Sequence, residues 1–477
     1  MRRKTMGYFD SLSTRREMFR AGAALGGGYF FSQLWKPTQV QAQSRVSPRG
    51  SARFCIVLML DGGQSQVDTW DLKEGAWTPQ DFDIRNVSGP IGRWPYALYP
   101  QLAERFDKFL LARSMGAWDA VHGRAQYYIQ TGHPLNLALS KEIPAIGAII
   151  ANEYTDRRRD TDTLPPYVAM NVVRNQAGLV NSGFMPAMNA PFHIDTTTKL
   201  SSYALAPEDK PDFDRRWNLL KNFDERLRNE TSLASKTYRD YNDHYEGAVR
   251  LMSDPRASHI FHLDAAEQVR YGSSRTGDAC ILARNLIEAD AGTHFIFVDV
   301  YNWDQHSNIY GDLRPPRGGP GAYPSTHQDV SRELDSALAP LLDDLSDTKR
   351  ENGTSLLDET LVVCMGEFGR TPGPLSVIGG RDHYPGAFSA LFAGGGVKGG
   401  RVLGKTDEMG ATVIESGWHE KRPIYPEDVA ATIYSAMGVD WTKRIQETPS
   451  GRMFYYIEPV TAQSHIVNFQ EVSEFFV

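Results

Sequence analysis

Residues Phe54 to Leu60 form an unbroken apolar run that stops at Asp61-Gly62-Gly63. A central strand buried on both faces ends this way at a loop. Similar runs recur at His294 to Val300, Thr360 to Met365 and Ala387 to Ala393. The first two of these give way at once to polar or acidic sequence, Tyr301-Asn302-Trp303-Asp304-Gln305-His306 and Gly366-Glu367-Phe368-Gly369-Arg370; the third leads into Gly394-Gly395-Gly396. Helical patterns lie between the runs. Ser325 to Leu345 places Leu334, Leu338, Leu341, Leu342 and Leu345 on one stripe, and Pro426 to Met437 opens with proline and two acids and closes at Gly438. Strands alternating with helices predict an α/β fold with a doubly wound, mainly parallel sheet flanked by helices, in which ligands sit beyond the carboxyl ends of the strands.

Pro207 to Asp254 breaks the pattern, being rich in charge and aromatic residues, and reads as inserted helices at about 207–254: a solvated hairpin, a lid or an interaction surface. Arg314 to Pro324 is a Pro/Gly-rich loop. The expected layout is a signal segment at 1–42, a linker at 43–53, one large domain at 54–460 and a tail at 461–477.

The first segment is read as a twin-arginine signal. Arg15-Arg16 precede a weakly apolar, glycine-broken run from Ala21 to Leu34, and Val40-Gln41-Ala42 offers small residues for cleavage. The run is too short and glycine-rich for a bilayer span, which takes about 20 predominantly apolar residues. Its loss removes seven cationic side chains against two acidic ones, so the formal charge moves from −7 to −12. Such an acidic remainder is a poor partner for nucleic acid, and no later stretch is apolar enough for an integral membrane segment. The expectation is export to the periplasm or beyond. Cys55, Cys280 and Cys364 are too few and scattered for a disulfide framework; Cys55 and Cys364 read as small buried hydrophobes, and one disulfide of unspecified pairing is compatible with an oxidising compartment.

The chemistry-bearing residues cluster just past predicted strand ends or in adjoining loops: Asp61, Asp304 with His306, Glu367, and Asp382 with His383. Mixed carboxylate and imidazole donors suit zinc, manganese or a similar divalent ion better than calcium. Taken singly, Asp61 also reads as a helix cap, and Asp304 as a group that orients His306 without touching metal.

Gly366-Glu367-Phe368-Gly369-Arg370-Thr371-Pro372, Gly379-Gly380-Arg381-Asp382-His383-Tyr384-Pro385 and Gly394-Gly395-Gly396-Val397-Lys398-Gly399-Gly400, with Gly62 to Thr69 and Trp303-Asp304-Gln305-His306, resemble the exported family called domain of unknown function 1501 over nearly the whole chain. That family is similar to the sulfatase branch of the alkaline phosphatase superfamily. The resemblance implies a site of one or two divalent ions, with Asp304, His306 and His383 on one metal and Asp61 and Glu367 on a second. It places His122, in His122-Gly123-Arg124 running on to Thr131-Gly132, where sulfatases carry a modified cysteine. His122 then reads as nucleophile, general acid or base, metal ligand, or a residue that merely packs beneath the loop. Arg124, Arg370 and Arg381 are candidates to bind anionic oxygens, or to pair with neighbouring carboxylates. Phe368 stands where phosphatases and mutases supply a histidine, and Asp68 or Asp71 are alternatives to Asp61. The Gly394 to Gly400 stretch lacks a P-loop ending and is expected to be a turn near the site. The implied activity is hydrolysis of a small or polymeric anionic ester, sulfate or phosphate. The rivals are a noncatalytic metal- or ligand-binding protein and an exported surface-assembly protein.

Overall fold

The computed structural model describes residues 46–87, 89–172, 175–230, 236–311, 326–462 and 465–477. The expected signal segment and the Arg314 to Pro324 loop lie outside them. Among the described residues, eight strands form the main sheet: β1 Phe54–Leu60, β2 Phe109–Met115, β3 Tyr167–Met170, β4 Phe192–Ile194, β5 Phe295–Val300, β6 Thr360–Gly366, β7 Phe388–Ala393 and β8 Arg401–Leu403. Their order is β8-β2-β7-β6-β1-β5-β3-β4. Every pairing is parallel except those of β7, which runs antiparallel to both β6 and β2. The sheet is therefore mainly parallel, as the runs predict.

All seven residues of β1 are buried, which explains the lack of alternation in that run. The principal helices are α1 His122–Thr131, α2 Ile146–Glu153, α3 Lys210–Glu230, α4 Lys236–Ser253, α5 Arg275–Ala289, α6 His327–Asp347 and α7 Pro426–Ala436. Ile56, Leu58 and Leu60 share one cluster with Ile281 and Leu282 of α5 and Leu334, Leu338 and Leu341 of α6. On the other face, Gly147 of α2 is so close to Phe295 and Tyr167 that a Cβ would lie 2.5 Å from the Phe295 ring. Helices thus cover both faces. Each fully buried leucine or isoleucine of this sandwich contributes roughly 1.5 to 3 kcal/mol. Sequence also sets the helix ends: Thr326 and Asp329 form a capping box at the start of α6. The inserted segment is a pair of helices, α3 and α4. Cys55, Cys280 and Cys364 are all buried and unpaired.

The direction of β7 corrects one expectation. Because it is antiparallel, its glycine-rich exit lies at the opposite edge from the exits of β1, β5 and β6. Gly395 N donates to Leu357 O (2.9 Å) and Gly400 N to Phe109 O (3.0 Å), beside the starts of β6 and β2. Gly394 to Gly400 is a turn at the far edge of the sheet, away from the candidate site.

Candidate metal centre

The exits of β1, β5 and β6 are tied together by their own backbones. Asp61 N donates to Val300 O (2.8 Å) and Trp303 N to Asp61 O (3.0 Å). Gly62 N donates to both carboxylate oxygens of Glu367, at 3.0 and 3.2 Å. Gly62 has φ of +114°, and a Cβ there would fall 2.4 Å from Asp304 N. Only glycine meets both demands, a left-handed backbone and contact with the neighbouring loop.

Four side chains converge beyond these exits. One ligand atom from each of His122, Asp304, His306 and His383 lies within 4.8 Å of the others. His306 Nε2 stands 2.9 Å from Asp304 Oδ1 and 2.9 Å from His383 Nε2, which is itself 3.7 Å from the same carboxylate oxygen. The other ring nitrogens are committed elsewhere. His306 Nδ1 is 2.9 Å from Asp382 Oδ1, and His383 Nδ1 is 2.6 Å from Ala120 O. Both partners are acceptors, so both Nδ1 atoms carry the proton, and in the neutral rings both Nε2 atoms present lone pairs, the arrangement by which outer partners fix metal-ligating histidines. Two lone pairs facing each other beside a carboxylate call for a shared positive charge. His122 Nε2 adds to this: it is buried without a hydrogen bond, though 3.2 Å from Asp304 Oδ1. The donor set fits a divalent ion with mixed nitrogen and oxygen preference. Asp304 is part-exposed, so the group opens to solvent.

Asp61 and Glu367 stand behind this group. Glu367 Oε1 is 2.7 Å from His122 Nδ1. Gln126 Nε2 donates to Glu367 Oε1 (3.2 Å) and to Asp61 Oδ1. Burial, aided by the nearby Glu367 charge, pushes the Asp61 carboxyl up to about 7. Burial opposes protonation of His122, but the neighbouring Asp304 and Glu367 carboxylates outweigh it and bring the imidazole to about 9. Burial likewise opposes ionisation of Asp304, yet His122 and Arg370 hold its carboxyl below the ordinary range. Asp299, on β5, is buried with neither oxygen partnered; burial and the charges of Asp61 and Glu367 raise it well above a normal carboxylate.

The arginines are placed differently from one another. Arg370 is buried, donating to Gly63 O (3.0 Å), Arg381 O (3.0 Å), Gly62 O and Asp304 Oδ1 (2.5 Å). Arg381, also buried, pairs with Asp68 at 2.7 Å and donates to the carbonyls of Thr371 and Gly373. Their forks are filled by the protein itself. Arg124 is part-exposed and bonds Asp119 at 2.8 Å. Asp68 is thus engaged by Arg381, and Asp71 accepts from Thr406 and pairs with Lys73 at 3.2 Å; neither takes the place of Asp61. His122 is the first residue of α1.

Sequence reasoning missed Gln126 and Asp299. Gln126 carries no signal of its own except its place one helical turn after His122. Asp299 does: it is the single acid inside a strand buried on all six residues.

The sequence profile of the family described as Protein of unknown function (DUF1501) matches residues 52–459. No curated protein matches the sequence. Among solved structures, similarity is found to a protein in the alkaline phosphatase superfamily from Vibrio parahaemolyticus, at 12% identity and a TM-score of 0.37, covering 83% of this chain and 69% of that one. The lipoteichoic acid synthase LtaP from Listeria monocytogenes gives 9% identity and a TM-score of 0.37, covering 82% and 74%. The phosphonate monoester hydrolase SpPMH from Silicibacter pomeroyi gives 11% and 0.34, covering 81% and 73%.

Proposed function

This chain belongs to the DUF1501 family, and on that footing we propose that it is an exported, metal-dependent hydrolase of an anionic ester, sulfate or phosphate. The observation that carries the reading is the facing pair of Nε2 lone pairs, His306 and His383, at 2.9 Å beside Asp304. Asp304, His306 and His383 would hold a divalent cation, with His122 Nε2 the fourth candidate donor of the group. Such a cation supplies Lewis acidity toward ester oxygens and lowers the pKa of bound water.

The chain's own residues do the rest. Glu367 and Ala120 O fix the protons of His122 and His383, and Asp382 that of His306. The first turn of α1 offers backbone N–H groups and the positive end of its dipole to an anion. Arg370 holds Asp304 and the Gly62-Gly63 turn together, a positioning role in place of ester binding. Export is supported by Arg15-Arg16 and the run behind them; among the described residues no helix is long and apolar enough to cross a membrane.

The test is elemental analysis of the exported full-length protein, followed by hydrolysis assays across sulfate and phosphate esters. Bound metal with turnover that falls in His383→Ala supports the proposal. Folded protein without metal overturns it. One observation favours a second reading, a metal- or ligand-binding protein without turnover: position 122 is a histidine flanked on both ring nitrogens by carboxylates, with no hydroxyl or thiol to attack. Bound metal with no turnover on any ester selects it.

A further inference from the structure

A cleft of about 770 Å³ adjoins the start of α1, lined by Gly123, Tyr127, Leu137, Lys141, Asn181 and Ser182 among others, with His244 of α4 also on its wall. Helix geometry relates it to the metal centre. Residues four apart share a face, and α1 divides its first two turns accordingly. His122 and Gln126 point to the carboxylates, whereas Gly123 and Tyr127 line the cleft. Gln126 joins the two sides, since its Oε1 accepts from Ala177 N of the cleft wall at 3.2 Å.

The lining is chemically mixed. Leu137 is 83% exposed and offers apolar surface. Tyr127 is 3% exposed, and its hydroxyl is buried without a hydrogen-bond partner. The polar atoms offered to a ligand are those of Ser140, Gln176, Asn181 and Ser182 on the same wall, which suit a hydroxyl-bearing group. Two cations reach the lining, Arg124 and Lys141. Arg124 is already neutralised by Asp119, which leaves Lys141 as the one without a carboxylate partner within 4.0 Å among the described residues. The volume falls in the ~300 to 1,000 Å³ range that buries a drug-sized ligand.

We infer that this cleft is the subsite for the organic part of the ester, and that it takes a bulky, amphipathic, hydroxyl-bearing group carrying a second negative charge toward Lys141. The assignment rests on the ester-hydrolase reading only for the place of the reacting group; binding in the cleft is separable from turnover.

The experiment is calorimetric titration of the full, metal-loaded protein with methyl phosphate, a disaccharide phosphate and the same disaccharide phosphate bearing a far-end carboxylate, with the matching sulfates in parallel. Ser140→Trp fills the cleft from its rim, and Lys141→Glu reverses its charge; both side chains lie at the surface. In the wild type, the disaccharide esters should bind at least tenfold more tightly than the methyl ester. Ser140→Trp should erase most of that gain and leave methyl ester affinity within about twofold. Lys141→Glu should weaken the carboxylated probe at least tenfold and the uncarboxylated one little. A disaccharide that adds nothing, or a gain that survives Ser140→Trp, overturns the subsite; a carboxylated probe indifferent to Lys141→Glu overturns the second charge. Probes that bind as expected but are not hydrolysed leave the subsite standing and remove the hydrolase.

Discussion

Gly380 lies against the backbone of His306 so closely that a Cβ on it would fall 1.9 Å from the His306 carbonyl carbon and oxygen. Ile309 N donates to Gly379 O (2.7 Å) and Arg381 N to Gln305 O (3.2 Å), so the two loops are clasped on either side of this contact. Gly380→Ala must therefore push the 305–309 loop away and carry the imidazole with it. Misplacing the partners of a metal-ligating histidine typically costs about 10- to 100-fold in metal affinity. We expect a loss in that range, measured by competition with a chromogenic chelator, with a lowered melting temperature.

Asp304→Asn and His383→Ala each remove a donor from the convergent group, so both should lose bound metal on elemental analysis. The wild type should also melt at lower temperature after chelation. A cation present at about 100 times its dissociation constant stabilises by about 2.7 kcal/mol, and the two variants should show little of that difference.

Arg381 and Asp68 are buried together at 2.7 Å, and Tyr310 donates its hydroxyl to the same carboxylate at 2.7 Å. Breaking one side leaves an uncompensated buried charge. Asp68→Asn or Arg381→Met should each cost about 3 to 5 kcal/mol in urea unfolding, and the double variant should cost less than the sum of the two.

Burial pushes the Glu427 carboxyl up to about 8 from an ordinary 4.5. Between those values the folded protein holds a proton that the unfolded chain has released. The stability this contributes is fully present below pH 4.5 and lost as the pH rises through 8, with a slope of up to about 1.4 kcal/mol per pH unit. Urea midpoints of chelated protein from pH 5 to 9 should fall along that window. Glu427→Gln should flatten the decline, leaving the share due to Asp61, Asp299 and His122, whose folded values are raised as well.

The apolar runs made the central strands legible because β1, β5 and β6 are buried on both faces and leave no alternation to misread. The runs also located Asp61, Asp304, His306 and Glu367, since a parallel strand must end where its neighbours end. Strand direction was not legible. The run at Phe388 to Ala393 looks like the others, yet β7 is reversed, and the reversal shows only in its pairing with β2 and β6. The arginines were ambiguous for a different reason. Arg370 and Arg381 are saturated by backbone carbonyls, and a carbonyl leaves no mark in a sequence.

The sheet order has a consequence for synthesis. β1 emerges first but sits between β5 and β6, which follow some hundreds of residues later, and the last donor, His383, comes after both. No nascent fragment ending before residue 383 contains the whole donor set, and contacts this distant in sequence close slowly. Capture of the proposed cation would therefore be a late event on the ribosome or a step after release, and the emerging first half must keep the apolar β1 from pairing with strangers until its neighbours arrive.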